Sequence, residues 1–431
     1  MQTSLQAIAN KAARDKRHRF SNLFMMLNLT FILSCWRLIN KRAAAGVDRV
    51  SAREYEKDLG QNVKRLVERV KGESYRAKLV RRQYIPKGEG KQRPLGIPAT
   101  EDKLLQKAVA EILGAIYEQD FLPSSYGYRP GVGPKDAARQ LAKELQNGKY
   151  KYIVEADIRG YYDSIDHEKL VEMLKQRIDD GPFLRLIEKW LKAGVLDTNG
   201  EVIDPTAGVP QGGVVSPVLS NVYLHHVLDK WFEDVVKAHC QGEAYLCRFA
   251  DDFVCAFQYK EEAQRFYEVL GKRLEKFGLK LATEKTKIIS FSRFNKQEGN
   301  SFEFLGFEYK WEEDRKGRDF LRRLTSGKKL RKSIAELTDW LRKNRSRRLK
   351  DIFAEVNAKL RGHYNYYGVI GNYGRLKSFY RQAEELLKKW LNRRSQRKSY
   401  NWQGFGDLLK HFNIERPKIT EKPWSIAAAA V

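Results

Sequence analysis

Two aspartates stand side by side between two apolar, strand-like runs: Ala244 to Phe249, then Ala250-Asp251-Asp252, then Phe253 to Gln258. This is the sequence of a hairpin whose tip carries two acids. Adjacent carboxylates repel each other and Asp is a poor strand residue, so the pair needs an explanation. An isolated Asp-Asp pair is more often an ordinary polar turn. A third acid changes that weighing. Asp157 closes another apolar, β-branched run, Tyr150 to Asp157, well upstream of the hairpin. If the two strand ends are neighbours in an antiparallel sheet, the carboxylates converge. Converging hard oxygen ligands with no His or Cys among them suit Mg2+, which keeps positions open for substrate phosphates. Two such ions serve the attacking and leaving oxygens of an in-line phosphoryl transfer.

Charge points the same way. The 431 residues carry 81 Lys+Arg against 54 Asp+Glu, a formal +27 that predicts a polyanionic partner held through phosphates. Basic ribosome-associated and membrane-surface proteins share such a balance, so charge alone leaves them open. A 42% hydrophobic content excludes a disordered chain. Cys35, Cys240, Cys247 and Cys255 form no Cys-x-x-Cys pair, which argues for a reducing compartment without a zinc site or disulfide framework. Lys11 to Arg19 followed by the apolar run Leu23 to Leu33 loosely mimics a signal peptide. Asn28 and Thr30 interrupt that run, and it falls short of the roughly 20 apolar residues of a membrane span. A buried N-terminal helix is expected there instead.

Three regions separate along the chain. Residues 1–80 read as helical and basic, with an amphipathic stretch from Val63 to Val70. Residues 81–310 mix strands and helices: Thr100 is expected to cap a helix carrying Leu104, Leu105, Ala108, Val109, Ile112, Leu113 and Ile116, and further helices are expected over Glu168–Arg177 and Glu261–Phe277. From about residue 315 onwards the pattern reads as helix after helix, with the basic runs Arg345-Ser346-Arg347-Arg348-Leu349-Lys350 and Arg393-Arg394-Ser395-Gln396-Arg397-Lys398. The terminal Ala427 to Val431 carries no chemistry.

Seven motifs in order then resemble those of right-hand polymerases, and among them the reverse transcriptases encoded by group II introns. Ile85-Pro86-Lys87, with Arg93-Pro94-Leu95-Gly96-Ile97-Pro98, and Ser125-Tyr126-Gly127-Tyr128-Arg129-Pro130-Gly131 are similar to that family's finger motifs. Asp157-Ile158-Arg159-Gly160-Tyr161-Tyr162-Asp163 and Gly208-Val209-Pro210-Gln211-Gly212-Gly213 resemble palm motifs. Phe249-Ala250-Asp251-Asp252, Glu284-Lys285-Thr286-Lys287 and Phe304-Leu305-Gly306-Phe307 complete the series. Phe249 stands where the family usually has tyrosine, which touches nucleotide or primer contacts and leaves metal binding intact. The resemblance implies an α+β right-hand polymerase. Residues 1–80 would be an N-terminal helical extension and the start of the fingers, and 81–310 fingers and palm. Residues 311–398 would be an α-helical thumb or maturase domain, and 399–431 a short DNA-binding-like segment.

Roles follow by the same resemblance. Asp157, Asp251 and Asp252, with the Ile158 carbonyl, would hold two Mg2+ ions, with Mn2+ as a substitute. Lys87 and Arg93 would meet the incoming triphosphate. Tyr162 would exclude a ribose 2′-hydroxyl, Gln211 and Gly212 would contact the nucleotide–template pair, and Lys285 would protonate the leaving pyrophosphate. Alone, each has an ordinary alternative: a solvated basic loop, a core aromatic, a tight turn. Asp163 and Asp166 stay outside the metal shell, and Asp166 is expected to cap the following helix. The aromatics of Gly362-His363-Tyr364-Asn365-Tyr366-Tyr367-Gly368 are expected mostly to pack helix on helix, within a domain that grips RNA.

The implied activity is RNA-directed DNA synthesis on an RNA template with a DNA primer and dNTPs, together with binding of a group II intron RNA for splicing and of target DNA for retrohoming. Family members that cut target DNA carry a later Cys- and His-rich nuclease domain. No Cys follows Cys255 and only His411 is a ligand candidate, so no second-strand cleavage is expected. No membrane partner is expected, and a bacterial cytoplasmic or nucleoid setting is. Two alternatives remain open: a domesticated or defence-type reverse transcriptase without an intron, and a catalytically idle RNA-binding splicing factor, against which the three intact aspartates argue.

Overall fold

The computed structural model describes residues 2–88, 91–294, 300–314, 316–394 and 399–422, without the side chains of Gln2, Thr3, Lys87, Gly88 and Lys91. Ser395 to Lys398 and the terminal alanines lie outside the described residues. The chain divides into two compact units: Met1–Gly133, Val154–Cys255 and Glu261–Lys287 form the first, and Pro134–Ile153, Ala256–Lys260 and Ile288–Val431 the second.

The first unit is built around the helix Thr100–Tyr117. Its Leu104, Leu105, Ala108, Val109, Ile112, Leu113 and Ile116 are all fully buried, because helices Gln2–Arg14, Leu29–Cys35 and Ser216–Leu224 pack around it. Thr100 is not its cap. Ala99 holds that position, and the Thr100 hydroxyl instead donates to the Val50 carbonyl at 2.6 Å. The apolar run after residue 23 contains a short packed helix, Leu29–Cys35, which Asn28 caps by accepting from the Phe31 amide; Phe31 and Ile32 face the core. An antiparallel ribbon, Val80–Gly88 with Lys91–Ile97, carries the Ile85-Pro86-Lys87 motif and most of the Arg93 to Pro98 motif, with Ile85 opposite Arg93.

A four-stranded sheet carries the acids, in the order Lys287–Ser290, Tyr152–Ala156, Asp252–Phe257, Ala244–Phe249. Burial explains the central strands: Ile153, Val154, Cys255, Ala256 and Phe257 are all 1% exposed or less. Asp166 caps helix His167–Lys175 as expected, accepting from the Lys169 amide.

In the second unit, strands Ser301–Phe304, Phe307–Glu313 and Asp319–Thr325 form an antiparallel meander. The last of these corrects the reading of helix from about 315. Three arginines and a lysine between Lys316 and Arg323 mask a strand, whose turn is set by Asp314, which accepts from the Lys316 and Arg318 amides, and by Gly317 at φ +73°. Helices begin only at Gly327, behind the Ser326 cap. Helices Gly327–Asn344, Leu349–Tyr367 and Tyr373–Leu391 then share one core with Phe405 and Leu409 of helix Trp402–His411. Most of the aromatics of residues 363–367 pack rather than project: Tyr364 is fully buried and His363 stacks on Phe379 at 3.9 Å. Arg345, Arg347, Arg348, Lys350, Arg393 and Arg394 are exposed. No helix among the described residues is long and apolar enough to cross a membrane.

Candidate active site

Asp157 and Asp251 reach one cavity because the two central strands run antiparallel. The two strands are neighbours in the sheet, Lys151 N–H donates to the Phe257 carbonyl at 2.9 Å at one end, and Asp157 and Asp251 line one cavity at the other, so each step forward on one strand is a step back on the other. Continued in register, that pairing sets Asp157 opposite Asp251. Both line one cavity of about 430 Å3. Asp251 is half-buried and Asp252, on the other side of the turn, is exposed and does not line the cavity. Among the described residues no group of three His, Cys, Asp or Glu side chains is drawn together closely enough to hold a metal as it stands.

Lys285 reaches the same place from a third direction. The Asp157 carbonyl accepts from Ala282 N–H at 2.8 Å, and the turn after Ala282 returns the Lys285 ammonium to the Asp157 carboxylate. That contact raises the lysine pKa above its ordinary value. The carboxylate therefore already attracts a cation. Arg159 and Glu284 pair across the same two-stranded edge at 2.8 Å, both largely exposed, and add little stability.

The loops that close the cavity are short and sterically fixed. Gly212 has φ +113°, and a Cβ there would lie 2.7 Å from the Gly96 carbonyl oxygen. Gly96 N–H in turn donates to the Gln211 carbonyl at 2.7 Å, fastening this loop to the ribbon Val80–Gly88 with Lys91–Ile97. On the other side, Val209 N–H donates to the Tyr162 carbonyl at 2.8 Å. Arg93, Ile158, Tyr162, Gln211 and Gly212 all line the cavity with Asp157, Asp251 and Lys285. The side chain of Lys87 lies outside the described residues. Burial pushes the Tyr162 phenol pKa up, and its ring packs edge-on against Tyr161 at 5.4 Å.

Sequence reasoning gave no role to Tyr128, which also lines the cavity, at φ +58°, or to Arg248, which is fully buried with its guanidinium Nε and Nη2 on Asp229. Burial opposes the charge on Arg248, but the Asp229 carboxylate outweighs it and the guanidinium pKa is raised. A charged residue inside the apolar strand Ala244–Phe249 was the available signal.

Residues 85–309 match the family model for reverse transcriptase (RNA-dependent DNA polymerase), slightly more than half of the chain. The chain belongs to the reverse transcriptase family. Residues 328–405 match a second model, the group II intron maturase-specific domain, which makes this a reverse transcriptase–maturase of the group II intron type. Protein YkfC of Escherichia coli is 34% identical over 56% of this chain and 71% of its own length. The group II intron-encoded protein LtrA of Lactococcus lactis is 41% identical over 40% of this chain, a match that takes in only 28% of LtrA. A Candida albicans telomerase structure is a distant likeness at 14% identity and TM-score 0.44, covering 84% of this chain and 68% of that one, and carries no weight here. The family is one of RNA-directed DNA polymerases that work with divalent metal ions, and the matched domains bind nucleic acid substrates and intron RNA.

Proposed function

We propose that the cavity bounded by Asp157 and Asp251 is the polymerising centre, where Asp157, Asp251, Asp252 and the Ile158 carbonyl would hold two Mg2+ ions. The all-oxygen donor set fits that ion, and the Lys285 ammonium on Asp157 marks the same carboxylate as a cation acceptor. The bound ions would lower the pKa of the primer 3′-hydroxyl and neutralise the triphosphate. The protein's own groups supply the rest. Arg93 offers a planar fork to the phosphates, or with Lys87 a pair of cations. Gln211 and Gly212 support the nucleotide–template pair, and the Tyr162 ring fills the space that a ribose 2′-hydroxyl would need. Lys285, kept protonated by Asp157, is placed to donate its proton to the departing pyrophosphate.

The convergence of Asp157 and Asp251 on a cavity shared with Arg93, Tyr162 and Gln211 carries this reading. Within it, residues 81–310 act as fingers and palm, 311–398 as thumb, and 399–431 as a DNA-binding-like segment. The exposed arginines at 345, 347, 348, 393 and 394 suit backbone contacts to intron RNA and target DNA during splicing and retrohoming. The test is extension of a DNA primer on an RNA template with dNTPs. It should proceed with Mg2+ and stop with chelator; chelator-resistant extension would remove the metal assignment.

A further inference from the structure

Burying a charge inside a strand is costly unless its partners are complete, and at Arg248 they are. The guanidinium carries five N–H groups, and five contacts meet them. Nε donates to Asp229 Oδ1 at 2.7 Å and Nη2 to Asp229 Oδ2 at 2.5 Å. Nη2 also donates to Ser125 Oγ at 2.7 Å, and Nη1 to Asn221 Oδ1 at 3.0 Å and to the Ala250 carbonyl at 2.9 Å. Those partners come from three separate stretches of chain, and the last is the residue immediately before Asp251.

The backbone repeats the pattern. Arg248 N–H donates to the Ser124 carbonyl at 2.8 Å, and its carbonyl accepts from Tyr126 N–H at 2.9 Å, so the finger motif lies along the strand as an added edge. Asn221 closes the circuit by donating to the Gly127 carbonyl at 2.6 Å. Ala250 sits at φ +57°, a left-handed conformation that is unfavourable for a non-glycine residue. The hydrogen bond from Arg248 to its carbonyl helps to hold it there.

Helix geometry explains how Asn221 and Asp229 reach one guanidinium. They are eight residues apart, and in an unbroken α-helix of 3.6 residues per turn they would point about 80° apart. Helix Ser216–Leu224 instead runs into a π-helical turn, His225–Asp229. The wider turn rotates the chain less per residue and brings Asp229 back to the Asn221 face. The irregular turn ends on the residue that supplies the ion-pair partner.

We propose that Arg248 is a positioning residue of the polymerase: with Asp229, Asn221 and Ser125 it forms a buried latch that fixes the Ala250-Asp251-Asp252 turn relative to Asp157. The inference rests on the reading of Asp251 as a metal ligand. A latch of this kind acts on where the carboxylates stand, so its loss should appear in metal use and turnover before it appears in primer–template binding.

The test replaces the pair by apolar residues, Arg248→Met with Asp229→Leu, because swapping both members of a buried ion pair often preserves folding where removing one does not. In primer extension by the full chain, kcat should fall about tenfold or more. The Mg2+ concentration for half-maximal rate should rise several-fold, while primer–template Kd and thermal midpoint stay near those of the original protein. A folded double variant with unchanged kcat and Mg2+ dependence overturns the proposal. Ser125→Ala provides the second arm, for use if the double variant does not fold. It removes one acceptor and should shift kcat and the Mg2+ curve in the same direction; unchanged values there overturn the proposal equally. Asp251→Asn separates the two readings. If it is active, the metal assignment fails whatever the latch variants do. If it is inactive while the double variant behaves as the original, only the latch fails.

Discussion

Gly127→Ala isolates how tightly the Ala250-Asp251-Asp252 turn is held. Gly127 is not at positive φ, so alanine is acceptable to its own backbone. What it would meet is Ala250: a Cβ at Gly127 would lie 2.2 Å from the Ala250 amide nitrogen, 2.8 Å from its Cα and 2.9 Å from its Cβ. Ordinary contact begins near 3.4 Å, so either the loop at Gly127 or the turn at Ala250 must move by about 1 Å. Neither is free to give. Asn221 holds the Gly127 carbonyl and Arg248 holds the Ala250 carbonyl. Overpacking of this kind costs about 1–3 kcal/mol of stability. A displacement of that size at reacting groups costs on the order of a hundredfold in rate. Single-turnover extension of a bound primer measures the second effect directly, and a urea titration measures the first. A variant that folds with unchanged midpoint and extends at the original rate would refute the claim that this backbone contact sets the position of Asp251.

Three further outcomes follow from separate parts of the structure. Tyr162→Ala should raise ribonucleotide incorporation relative to deoxyribonucleotide by about tenfold or more; unchanged sugar discrimination in competition assays would remove Tyr162 as the gate. Glu421 is a fully buried carboxylate held by Arg323 at 2.8 Å and Arg139 at 3.1 Å. Glu421→Ala strands the buried Arg323 and should lower unfolding free energy by about 3–5 kcal/mol; a urea midpoint within error of the original would contradict that. Burial pushes Asp102 up to about 6, even though Tyr75 and the Lys78 amide donate to it. The folded state thus keeps this proton at pH values where the unfolded chain, at about 3.9, has lost it. Its contribution therefore declines as pH rises from about 4 through 6, and Asp102→Asn should remove that decline from the stability–pH curve. Parallel curves for the two proteins would show the shift to be absent.

The parts of the site that were legible in the sequence are those encoded locally. A hairpin of apolar strands with acids at its tip, an aspartate ending a β-branched run and an Asp166 cap each depend on neighbours in the chain. The apolar periodicity of helix Thr100–Tyr117 was legible for the same reason, although its cap was misplaced. Thr100 found a distant acceptor in Val50 that no local pattern announces. Strand Asp319–Thr325 was missed because its basic side chains, paired with acids such as Glu312 and Glu421, hide the alternation that burial would otherwise print. The Arg248 cluster was illegible for a stronger reason: Ser125, Asn221 and Asp229 are spread over more than a hundred residues, and the last depends on a π-helical turn that composition does not signal.

Single-turnover extension of a DNA primer on an RNA template, with Mg2+, by the protein and by Asp251→Asn at saturating enzyme, tests the central claim most directly. The account predicts full extension by the original chain, and no extension by the variant despite equal primer–template binding. Extension by Asp251→Asn at a comparable rate would contradict it.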